Sequence, residues 1–147
     1  MPRNLINNNS NNPGLGYPSY FPRHVPPSKA VDANGTFFRI VKTDPPSSEC
    51  FKNMYESDYE RLKKFKGLEL KCCYGVSVYR DEEPIVNAFA KFPEGSDFQY
   101  LAKGEVKHTD GKMLKTGELN HNHYTVWLVE GCEIYNRFNC IRSLIDE

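Results

Sequence analysis

Short alternating runs and three stretches with helical spacing organise the apolar positions of this chain. Thr36-Phe37-Phe38-Arg39-Ile40-Val41-Lys42 is rich in β-branched and aromatic residues and predicts a strand, stopped by Asp44-Pro45-Pro46. Ser47-Ser48-Glu49 opens a helical pattern that places Phe51, Met54 and Tyr55 on one face. Ser57 and Glu60 have the spacing of a capping box, Tyr59, Leu62 and Phe65 follow on one face, and Gly67 suits the helix end. Leu68 to Tyr79 predicts a strand interrupted at Gly75, with a clean alternation over Val76-Ser77-Val78-Tyr79. Asp81 then caps the clearest amphipathic helix, in which Ile85, Ala88, Phe89 and Phe92 share a face and Pro93 ends the run.

Further strands are predicted at Gln99 to Lys107, Tyr124 to Val129 and Cys140 to Ile145, with a polar stretch around Gly111 and Gly117 and a turn at Glu130-Gly131. Helices early and strands late argue for one α+β domain over residues 35–147. Its sheet is expected to be mostly antiparallel, with four to six strands and two or three helices. Residues 1–34 hold six of the ten prolines and the run Asn7-Asn8-Asn9-Ser10-Asn11-Asn12. They read as a tail, disordered or docking. Within it, Tyr17-Pro18-Ser19-Tyr20-Phe21-Pro22 interleaves aromatics with prolines, a pattern for an extended segment that docks in a groove of a partner or of its own domain.

Charge changes this picture little. Nineteen Lys plus Arg balance nineteen Asp plus Glu, which argues against a strongly basic nucleic-acid binder and leaves Arg61, Lys63, Lys64 and Lys66 as a solvated helix face. No apolar run is long enough for a membrane helix, and no basic-then-apolar leader opens the sequence, so a cytoplasmic protein is expected. The five cysteines are odd in number and include no C-x-x-C pair; they read as reduced, mostly buried thiols.

Candidate chemistry gathers at a few positions. Arg39 interrupts an apolar strand and needs an outward position, an ion-pair partner or an anionic ligand for its planar fork. His121 and His123 lie two apart and share a face of an extended chain next to Tyr124, and Trp127 is the only tryptophan. Ser77 and Tyr79 share a strand face, and their hydroxyls approach Arg39 if the strands pair. A metal set of His108, His121 and His123 lacks the usual ligand spacing, so no metal is expected. No G-x-S-x-G, P-loop, H-E-x-x-H or EF-hand motif occurs.

The segments Phe38-Arg39-Ile40-Val41-Lys42-Thr43-Asp44-Pro45-Pro46, Gly75-Val76-Ser77-Val78-Tyr79, Phe92-Pro93 and His123-Tyr124-Thr125-Val126-Trp127 resemble a group of small, uncharacterised bacterial α+β proteins. The chain is also similar, more distantly, to ADP-ribosyltransferase-like folds, including RES-type NAD-degrading toxins. In those an Arg on an early strand precedes a strand that runs into a helix, as Arg39 precedes Ser77–Tyr79 and Asp81. That likeness implies NAD as cosubstrate, but no Glu here matches the catalytic carboxylate. Two expectations follow. One is an interaction or ligand-binding module without a cofactor, meeting a protein partner through the tail or an apolar groove. The other is an enzyme acting on NAD or a related nucleotide, in which Arg39, Ser77 and His123 converge.

Overall fold

The computed structural model describes residues 16–83, 99–117 and 122–144. Seven strands form one antiparallel sheet: β1 (Val31–Asp32), β2 (Gly35–Val41), β3 (Val76–Tyr79), β4 (Tyr100–Val106), β5 (Gly111–Lys115), β6 (His123–Leu128) and β7 (Phe138–Ser143). Their spatial order is β1-β5-β6-β3-β2-β4-β7. The α+β class holds, with more strands than the sequence pattern predicts. The two extra strands are β1 and β5. Gly111-Lys112-Met113-Leu114-Lys115 looks polar, yet Met113 faces the core and the segment pairs with β6 from Gly111 opposite Leu128 to Lys115 opposite Tyr124. The last strand starts at Phe138, two residues before the expected Cys140, after a 3-10 turn at Ile134–Arg137.

The helical layer is broken into short pieces. A 3-10 turn at Ser48–Phe51, α1 (Met54–Ser57), a 3-10 turn at Tyr59–Lys64 and α2 (Gly67–Cys72) replace the longer helices expected here. The capping box sits at Asn53 and Glu56 rather than at Ser57 and Glu60: the Asn53 side chain accepts from the Glu56 N–H at 3.0 Å, and Glu56 accepts from the Asn53 N–H at 3.3 Å. Gly67, at φ +60°, opens α2 instead of closing the preceding helix. The expected strand from Leu68 is therefore helix up to Cys72. Leu68 is exposed, while Leu70, Cys73 and Tyr74 pack together, so the operative spacing is three and four rather than two. The helix expected from Asp81 to Phe92 lies almost wholly in residues 84–98, outside the described residues, as does the Asn-rich run.

Both faces of the sheet are covered. On one, Phe37, Val41, Val76, Val78, Ala102 and Val126 pack beneath Cys50, Phe51, Ile134 and Phe138. On the other, Trp127 lies fully buried among Leu62, Cys73, Tyr74 and Ala30. This second core is completed from the segment expected to be a tail. From Gly16 on, that segment docks on its own domain. It is built of turns closed by Phe21, Val25 and Ala30 N–H groups donating to the carbonyls of Pro18, Pro22 and Pro27. The turns present Tyr17, Tyr20, Phe21 and Val25 to the Trp127 cluster. Tyr20 stacks on Tyr55 with ring centroids 4.0 Å apart, and its hydroxyl accepts from Asn53 Nδ2 at 2.9 Å. The same Nδ2 donates to the Tyr74 carbonyl at 3.1 Å. Asn53 thus ties arm, α1 and the entrance to β3 together with every polar atom used.

Two consequences are measurable. Chain starting at Gly35 loses β1, Ala30, Ala33 and the arm's aromatic cover, and is expected to show no cooperative thermal transition by circular dichroism; a sharp transition would return the arm to the status of an appendage. Asn53→Ala removes a cap and leaves a buried carbonyl unpaired, and should cost about 2–3 kcal/mol in urea unfolding.

Candidate functional site

The sheet opens at one place. β2 pairs with β4 along its whole length, from Gly35 opposite Val106 to Val41 opposite Tyr100. Against β3 it pairs at Phe38 opposite Tyr79. Toward Arg39 and Ser77 the two strands diverge, leaving backbone groups without a ladder partner. The Arg39 guanidinium occupies that opening. Its Nε donates to the Cys50 carbonyl at 2.9 Å and its Nη1 to the Ser77 carbonyl at 2.7 Å, and it lies 5.1 Å from the centre of the Phe51 ring. One side chain so joins β2, β3 and the Ser48–Phe51 turn. Among the described residues no carboxylate forms an ion pair with it. Burial lowers its pKa to about 10, only partly offset by the nearby Cys50 thiol. Because the folded value is depressed for a cation, the desolvation cost is fully present at neutral pH and is relieved only as pH rises through about 10.

Arg39 borders a cleft of about 350 Å³ with Lys52, Arg61, Asp58, Ser57 and Ser77. Three cations face one carboxylate there, although Lys52 also pairs with Glu49 at 3.1 Å. A second cavity of about 230 Å³ adjoins it, walled by Tyr20, Phe51, Tyr74, Tyr135, Glu56 and Glu130. Lys52, Asn53, Gly75 and Val76 line both, so the cationic and the aromatic cavity share a wall and make up two adjoining parts of the groove. The docked arm supplies part of the aromatic wall through Pro18 and Tyr20.

The residues singled out from sequence do not form one constellation. Strand alternation and pairing send Arg39 out on the face of Phe37 and Val41, and Ser77, Tyr79, His123, Thr125 and Trp127 out on the other. The expected convergence of Arg39, Ser77 and His123 therefore fails: Ser77 meets Arg39 through its carbonyl, not its hydroxyl. His123 is tied into a polar row, its Nδ1 3.0 Å from Thr116 Oγ1, which lies 2.8 Å from Thr125 Oγ1. The Tyr79 ring packs edge-on to His123 at 5.0 Å, and burial raises the Tyr79 pKa. Tyr124 points to the Arg39 face, where the Arg80 guanidinium covers its ring at 5.0 Å. Trp127 is core, its Nε1 donating to the Lys71 carbonyl at 2.8 Å. His121 lies outside the described residues, and His108 is exposed on a 3-10 turn. Among the described residues no group of three His, Cys, Asp or Glu has the geometry to hold a metal ion.

Lys52, Arg61, Glu56 and Glu130 were not legible as groove residues. Arg61 sits in what reads as a solvated basic run, and Lys52 and Glu56 lie beside a cap that only the fold identifies.

No family model, curated protein or solved structure matches the chain.

The assignment of Trp127 to the core has a direct test. Trp127→Phe should lose the bond to Lys71 and some packing, about 2 kcal/mol in urea unfolding, while leaving the groove's chemistry intact.

Proposed function

We propose that the chain is a small ligand-binding module whose groove takes an aromatic small molecule bearing a phosphate or carboxylate, with the anion at Arg39 and the ring in the adjoining cavity. The observation that carries this reading is the half-buried guanidinium held by two carbonyl oxygens, with no carboxylate paired to it among the described residues. A cation drawn partly out of water without a paired counter-charge is held at a cost. An anion entering the cleft recovers part of that cost and meets the remaining N–H groups of a pre-oriented planar fork. Lys52 and Arg61 add attraction at the mouth. Five free cysteines suit a reducing, cytoplasmic setting. A protein partner, if one exists, uses a surface other than the arm's aromatic face, since that face is spent on the domain itself.

A second reading, an ADP-ribosyltransferase-like enzyme acting on NAD or a related nucleotide, draws on Glu56 and Glu130 at the aromatic end of the groove. Either carboxylate suits a developing positive charge on a ribosyl carbon. In this reading Arg39 holds the ligand's phosphates and His123 takes no part.

Calorimetric titration with inorganic phosphate, pyrophosphate, ADP-ribose and NAD tests both. Wild type should bind the phosphorylated ligands, and Arg39→Gln should weaken them about tenfold or more. Binding should also fade as pH rises through about 10, where Arg39 loses its charge. Equal affinity in Arg39→Gln contradicts the proposal. Release of nicotinamide by wild type and not by Glu130→Gln or Glu56→Gln would select the enzymatic reading.

A further inference from the structure

Beneath the anion cleft lies a pair of thiols that the ligand-binding reading does not use. Cys50 is fully buried on the Ser48–Phe51 turn, and Cys140 is half-buried on β7. On the sheet, Arg39 pairs with Ala102 and Ala102 with Cys140, so Cys140 lies two strands from Arg39, on the face that Cys50 covers. Thr43 bridges the two sulfurs: its hydroxyl lies 3.5 Å from Cys50 Sγ, and its carbonyl accepts from Cys140 Sγ at 3.4 Å. The loop carrying Thr43, Asp44 and Pro45 is exposed.

Cys50 Sγ also receives the Ser47 backbone N–H at 3.5 Å and lies 3.9 Å from Ser47 Oγ. Burial by itself pushes this thiol up, but the hydrogen bonds from Ser47, Thr43 and Lys42 outweigh it, and the thiol lies below its usual range. Cys140 is the opposite: burial, with Asp44 and Cys50 nearby, pushes it up to about 11. The two neighbouring thiols are thus shifted in opposite directions.

We propose that Cys50 is a peroxide-oxidisable thiol resolved by Cys140 into an intrachain disulfide, and that this oxidation closes the anion site. The second half rests on the ligand-binding reading above; the first does not. The Cys50 thiolate attacks one oxygen of hydrogen peroxide, the O–O bond breaks, and the departing hydroxide takes the thiol's proton to give water and a sulfenic acid. Cys140 sulfur then attacks the sulfenic sulfur, the S–O bond breaks, and hydroxide leaves with the Cys140 proton as a second water. Two thiols lose two electrons and two protons, and one peroxide becomes two waters. The link to the cleft is the Cys50 carbonyl, which holds Arg39 Nε. Drawing Cys50 toward β7 pulls that acceptor away and misdirects the guanidinium.

The test uses the full chain treated with one equivalent of hydrogen peroxide, digested without reductant and mapped by mass spectrometry. A Cys50–Cys140 linked peptide is expected, reversed by dithiothreitol. In Cys140→Ser, Cys50 should instead be trapped as a dimedone adduct. Oxidation that starts at Cys72, Cys73 or Cys132 and spares Cys50 overturns the proposal, as does a Cys50 link to any other cysteine. Titration with inorganic phosphate reads the coupling: affinity should fall about tenfold or more on oxidation and return on reduction. A disulfide that forms without changing phosphate affinity overturns the closure. Reduced protein that binds no phosphate overturns the ligand-binding reading instead, while the peptide map still decides the disulfide.

Discussion

A half-buried cation with no ion-pair partner among the described residues organises this molecule. Where β2 and β3 part, carbonyl groups that a continuous ladder would satisfy need another donor. Arg39 supplies it, reaching Cys50 and Ser77 from a strand position that would otherwise hold an apolar residue. The Ser48–Phe51 turn is pinned over the sheet by the same side chain, and the Phe51 ring shields it. A guanidinium serves this role better than an ammonium, because its fixed fork spans two acceptors and tolerates an aromatic face. Among the described residues no carboxylate pairs with it, and along the cleft Arg39, Lys52 and Arg61 face the single carboxylate of Asp58. The opening in the sheet and the cationic site are therefore one feature.

The second organising element is Asn53. It caps α1, holds the Tyr20 hydroxyl and takes up the Tyr74 carbonyl, and it also stands between the cationic and aromatic halves of the groove. The docked arm consequently does more than cover apolar surface. It brings Pro18 and Tyr20 into the wall of the cavity, so the segment that docks on the Trp127 core also furnishes part of the groove. Packing and site are coupled through a few hydrogen bonds, and the helical elements among the described residues are no longer than six residues.

What the sequence revealed followed the rules of local pattern. β2, β4 and β6 appeared within a residue or two of their observed bounds, because their β-branched and aromatic content faces two packed layers. Arg39 stood out for the same reason, as the one charge in an apolar strand. The failures have physical causes. Leu68 and Leu70 alternate like a strand, but α2 turns on Leu70, Cys73 and Tyr74. β5 looks polar because Lys112 and Lys115 reach past the sheet while Met113 supplies the core contact. The arm's prolines suggested disorder or docking, and the turns they open aim Tyr20 and Phe21, then Val25, then Ala30 at the Trp127 cluster. The candidate site was half legible. Its cation was visible, but the Ser77 and Tyr79 side chains and the His123 imidazole stand on the other side of the sheet, a separation that depends on the register between strands. The groove's remaining residues come from turns whose positions no local pattern encodes.

The central claim is that Arg39 is a half-buried, hydrogen-bonded cation facing an anion-binding cleft. Nitrogen-15 NMR of the arginine side chains tests it most directly, with the Arg39 signal assigned by its absence in Arg39→Gln. The account predicts a Nε–H resonance protected from solvent exchange at neutral pH, which shifts progressively as inorganic phosphate is added. An Arg39 Nε–H that exchanges as fast as a surface arginine, or that stays unmoved while surface lysines respond to phosphate, would contradict it.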